Sequence, residues 1–94
     1  PGKVSIKKVV RSKNNRNIKI NIKKVKGVTG YQIKYSTNKK LKKAKTVTTK
    51  SVKKTLKKLK KKTYYIQVRA YVVKSGNVKV TGNWSKIKKV KVRK

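Results

Sequence analysis

Nine lysines crowd into two short stretches: Lys39, Lys40, Lys42 and Lys43 within "NKKLKKAK", then Lys57, Lys58, Lys60, Lys61 and Lys62 within "TLKKLKKK". An ammonium group with no carboxylate near it does one kind of chemistry: it attracts phosphate and carboxylate polymers and displaces their condensed counterions. The chain supplies no carboxylate side chain, since its 94 residues include 33 Lys+Arg and no Asp or Glu, a formal net charge of +33. If acidic residues make up about 12% of an average chain, a random draw of this length lacks them only about once in 100,000 tries. Their absence is therefore selected or designed. An ordinary charge run is read first as a solvated surface, but a field with no counter-charge binds any polyanion that reaches it.

The same absences exclude other chemistry. Asp, Glu, His and Cys are all missing, so there is no ordinary general base, no catalytic triad and no set of metal ligands, because Lys, Tyr and Ser bind metals poorly at neutral pH. A buried lysine can act as a nucleophile, yet nothing singles one out. The expectation is a protein with no catalytic residues, no metal and no cofactor. Met and Phe are missing as well, which leaves open a reduced-alphabet, engineered supercharged scaffold. Without cysteine there is no disulfide framework. No apolar run approaches the roughly 20 residues of a membrane span.

The cations are mostly lysine, with only Arg11, Arg16, Arg69 and Arg93 as arginines. Arginine supplies most bidentate contacts to guanine and phosphate, so a lysine field suits diffuse attraction rather than base reading. A domain of this mass exposes roughly 5,500 Å², which spaces the charges near 13 Å apart, beyond the roughly 8 Å Debye length at physiological salt. The fold therefore survives its own charge there, whereas below about 0.01 M salt every charge feels the others.

A second group of candidates emerges from the alternation in "TYYIQVRAY": Tyr64, Ile66, Val68 and Ala70 share one face, and Tyr65, Gln67, Arg69 and Tyr71 the other. The latter set should lie outward beside Gln32, Lys34, Lys89 and Lys91. Tyrosines among cations can stack bases or sugars, although the simpler role is to shield lysine stems on a solvated sheet. Trp84 is expected to pack where the chain leads into its last strand, with a cation–π contact to Arg69 as the alternative.

Strands must position these residues. "KVSIKKVV" at 3–10 begins an alternation that then blurs, as in an edge strand. "NIKINIK" is the cleanest, with Ile18, Ile20 and Ile22 on one face. After Gly27 and Gly30, Tyr31, Ile33 and Tyr35 alternate in a third strand, and "TVTT" at 46–49 is β-branched enough for another. "RSKNNRN", "SGN" and "TGN" are turns. Residues 52–62 are ambiguous, because Val52, Leu56 and Leu59 fall at i, i+4 and i+7 and would form a cationic amphipathic helix. That helix would lack an acidic first turn and would stack lysines at i,i+4. A short strand at 52–56 with a corner through Leu59 uses the same apolar residues and fits its neighbours. About seven short strands at intervals near 10 residues predict an antiparallel β-sandwich, a single domain over 1–94.

Three segments carry a family resemblance. "KKVKGVTGYQIKYST", "LKKLKKKTYYIQVRAY" and "GNWSKIKKVKV" resemble, in this order, the strand B to C segment, the E to F corner with strand F, and the Gly-x-Trp-Ser lead into strand G of fibronectin type III domains, specifically the lysine-rich kind found in bacterial secreted and surface proteins. The resemblance covers nearly the whole chain. It implies a seven-stranded immunoglobulin-like sandwich in which Tyr64 is the corner tyrosine, its hydroxyl bonded to backbone near Leu59, with Ile66, Val68 and Ala70 in the core. Two departures stand out: Ile22 occupies the usual place of a core tryptophan, and the corner is one residue short and lacks its usual glycine.

Such domains are spacers or adhesive modules, so the resemblance implies a secreted or cell-surface location and, from the abrupt Pro1-Gly2 start, a domain cut from something longer. With the charge, it points to a non-catalytic, monomeric module holding cell-wall teichoic acid, nucleic acid or acidic glycans non-specifically, with peripheral contact to anionic membranes. A membrane-active or cell-penetrating protein is the alternative that the amphipathic helix would support.

Overall fold

In the computed structural model, residues 4–11 and 16–92 are described. The turn expected at 11–17 falls largely outside them, as do Arg93 and the Pro1-Gly2 start. Eight strands follow one another: β1 (Ile6–Arg11), β2 (Ile18–Ile22), β3 (Gly30–Ser36), β4 (Lys45–Thr49), β5 (Lys53–Leu56), β6 (Thr63–Lys74), β7 (Val78–Thr81) and β8 (Lys88–Lys91). All pairings are antiparallel. One sheet runs β1-β2-β5 and the other β4-β3-β6-β7, with β8 also paired to β6.

The two sheets close on the residues that alternation selects. Ile18, Ile20, Ile33, Ile66, Val68 and Ala70 are fully buried, joined by Val4, Tyr31, Leu56, Leu59, Tyr64 and Val92. Ile22, which the resemblance sets in place of a core tryptophan, sits in this core at 3% exposure. Residues 52–62 form no helix. Lys53–Leu56 is a strand against β2, with Ile18 opposite Leu56, and the leucines that would have given a helix its apolar face are 4% and 6% exposed. Burial of that apolar surface outweighs helical periodicity.

The eighth strand corrects the expectation of seven. β6 is 12 residues long, and its outer edge is covered in two pieces, β8 against Thr63–Ile66 and β7 against Tyr71–Lys74. Between them the chain leaves the ladder but keeps β6 bonded: the Gly82 N–H donates to the Ala70 carbonyl at 2.9 Å and the Ser85 N–H to the Val68 carbonyl at 2.8 Å. The Val68 N–H, which would need a strand carbonyl, donates instead to Ser85 Oγ at 3.0 Å. The Gln67 side-chain amide in turn donates to the Ser85 carbonyl at 3.1 Å. One serine thus replaces a rung of the sheet and breaks the last strand in two.

Gly30 is required by close approach. A Cβ there would lie 2.8 Å from both the Thr49 carbonyl oxygen and the Tyr71 hydroxyl. The molecule measures 44 × 23 × 20 Å and exposes 6688 Å², more than the roughly 5,500 Å² of a compact domain of this mass. This spreads the positive charges slightly further apart.

Candidate polyanion-binding surface

Strand direction brings the two lysine clusters together. β3 and β6 are antiparallel neighbours with Ser36 opposite Tyr65, so the end of β3 lies beside the start of β6. The loop leaving β3 (37–44) and the loop entering β6 (57–62) therefore share one end of the sandwich. Between them lies a cleft of about 540 Å³. Lys42, Lys43 and Lys45 line it from the first loop and the start of β4, and Lys57, Lys58, Lys60 and Lys62 from the second. Tyr35, Leu59 and Tyr64 also line it, the two tyrosine rings 6.2 Å apart and inclined at 46°.

Both walls are held by internal hydrogen bonds. Ser36 Oγ donates to the Lys42 carbonyl at 2.7 Å and accepts from the Asn38 N–H at 3.0 Å, while Asn38 Oδ1 accepts from the Lys40 N–H at 2.7 Å. Across the cleft the Lys60 N–H donates to the Tyr64 hydroxyl at 2.8 Å, the corner bond expected of this tyrosine. The Leu59 N–H donates to the Arg16 carbonyl and the Val92 N–H to the Lys62 carbonyl. On the same loop Lys58 takes a left-handed backbone, φ 55°.

Lys42, Lys43, Lys57, Lys58, Lys60 and Lys62 therefore converge as a group. Lys39, Lys40 and Lys61 are exposed in the same loops but do not line the cleft. Lys45 lines it and was not singled out in the sequence, where its only signal is being the next lysine after the first cluster.

The second candidate surface is the outer face of the larger sheet. Register places Gln32 beside Arg69, Lys34 beside Gln67 and Tyr65 beside Lys89, with Lys91 beside Thr63. This face is occupied by its own contacts. Arg69 Nε donates to Gln32 Oε1 at 2.7 Å, and both Lys34 Nζ and Arg69 Cζ lie 4.2 Å from the centre of the Trp84 ring. Trp84 thus takes up the cation–π contact on this face, because the break at Ser85 carries it there. Tyr71 is 4% exposed, lying against Gly30 with Lys79 Nζ 4.8 Å from its ring. On this face the chain's own cations already lie against the Trp84 and Tyr71 rings. Among the described residues no buried side-chain polar atom lacks a partner, and no group of His, Cys, Asp or Glu could hold a metal. No helix among the described residues is long and apolar enough to cross a membrane.

No family model and no curated protein sequence matches the chain. Solved structures do. The chain superimposes on the FN1-FN3 domains of chicken CNTN1 with a TM-score of 0.71 and 25% identity, over 96% of its own length and 30% of that chain. It is a fibronectin type III domain in fold. An Fn3-like protein from Clostridium thermocellum matches with a TM-score of 0.63 and 20% identity, over 93% of this chain and 86% of that one. Within the fibronectin type III frame β6 is strand F, β7 and β8 are the two halves of strand G, and the lysine cleft lies at the Tyr64 corner.

Proposed function

We propose that this fibronectin type III domain is a non-catalytic module of a bacterial secreted or cell-surface protein that holds anionic polymers, such as teichoic acid, nucleic acid or acidic glycans, through its lysines and without reading their sequence. The observation that carries the reading is the convergence of both lysine clusters on one end of a sandwich that has no acidic side chain. Phosphate and carboxylate polymers gain entropy from counterion release at such a surface whatever their sequence. Lysine point charges suit that attraction, whereas bidentate recognition calls for arginine. A bilayer is a poorer partner, because Leu56 and Leu59 are committed to the core and an interfacial anchor needs an exposed apolar face. Like charge keeps copies of the module apart, so it works as a monomer. The test is retention on immobilised heparin and binding to two unrelated DNA duplexes at about 0.15 M sodium chloride. Binding of all three with similar affinity is expected. Passage through the column with no DNA binding would remove the polymer-holding role.

A further inference from the structure

The geometry points to the corner cleft as a defined binding site for a short run of contiguous phosphates, a narrower role that rests on the polyanion reading above. Its volume of about 540 Å³ is room for a small ligand, and its walls are polar where ordinary small-ligand sites are mostly apolar, so a charged ligand suits it. Seven lysines line that volume with no acidic side chain in the chain to neutralise them. Beyond the screening that simple salt provides, their mutual repulsion is relieved most by an anion that packs several charges into little space. Contiguous phosphates do this best, since a terminal phosphate carries up to two charges, whereas carboxylates on a glycan carry one each and are spaced by sugar rings. The lining cations are all lysine, which binds phosphate as a point charge and needs no bidentate fork to do so.

The site is also built in advance. Ser36 fixes the Lys42 wall and Tyr64 the Lys60 wall, so little ordering of backbone is left for the ligand to impose. Leu41, Lys43 and Lys58 take left-handed backbone at φ 59°, 52° and 55°, all in the two loops that form the cleft. Such strain at non-glycine residues gathers where loop shape serves a site.

Calorimetric titration of the chain with sodium tripolyphosphate at about 0.15 M sodium chloride tests this. One molecule should bind per chain, at least tenfold more tightly than citrate. The triple variant Lys42→Gln, Lys58→Gln, Lys60→Gln should lose tenfold or more in affinity, and the equally charged control Lys8→Gln, Lys23→Gln, Lys74→Gln less than threefold. In the unaltered protein, amide NMR shifts on adding tripolyphosphate should concentrate in 36–45 and 57–64, a readout that does not depend on the variants folding. Equal losses in the two triples, citrate binding as well as tripolyphosphate, several equivalent weak sites, or shifts spread over the whole surface would each overturn the cleft. If heparin retention persists alongside any of these, the broader polymer-holding role stands. Loss of heparin retention itself would sink both.

Discussion

The hydroxyl of Tyr64 accepts the Lys60 N–H as the chain turns into β6. Tyr64→Phe keeps the buried ring and removes the acceptor of this part-buried bond, so it should cost about 0.5–1.5 kcal/mol. At roughly 4–8 °C per kcal/mol for a domain of this size, a thermal melt reads this directly, and an unchanged midpoint would deny the bond its role. Two residues away from that N–H, Lys58 holds φ 55°, a conformation that glycine adopts without strain. Lys58→Gly should therefore raise stability by about 0.5–1 kcal/mol, the relief of left-handed strain less the entropy that glycine adds to the unfolded chain. A lowered melting point would contradict that. At this scale the sequence was informative where side chains alternate: Ile18, Ile20 and Ile22 and the Tyr64 to Ala70 face are core as the pattern requires. Tyr71 was less legible. Alternation alone places it outward, and only its position against Gly30 buries it.

Strands were legible as elements, while their irregularities were not. β1 reads as a blurred alternation because a bulge between Ile6 and Lys8 shifts its register against β2, so that inward positions pass from Ile6 to Val9 across two exposed lysines. The split of the last strand depends on one hydroxyl, which no periodicity reveals. Ser85→Ala leaves the Val68 N–H buried without its acceptor and should cost about 1–3 kcal/mol. Hydrogen exchange at Val68 should quicken as well, and unchanged protection there would show that the serine is not replacing a rung. The cleft was half legible. Its lysines stand out in the sequence, but their meeting follows from the pairing of β3 with β6, a contact between segments about thirty residues apart. On the ambiguous stretch, the leucine spacing of 52–62 fits helix and strand alike, and the partner strand β2 decides it.

For the whole molecule, repulsion opposes folding with no ion pair between side chains to offset it. Added salt should therefore raise the melting temperature between dilute buffer and about 0.5 M sodium chloride, where a fold held by ion pairs would be weakened. A falling midpoint would mean that charge does not limit this domain. The same unpaired field underlies the proposed function, and its salt dependence is the most direct test. Fluorescence anisotropy with a labelled DNA duplex, repeated across about 0.05–0.5 M sodium chloride, gives the number of cations engaged from the slope of log K against log salt. The expected result is a straight line with slope of about −4 or steeper, the same for two unrelated sequences, as several lysines engage phosphate at once. A slope near zero, or affinity that depends on sequence more than on salt, would contradict the account of this domain as a lysine surface for anionic polymers.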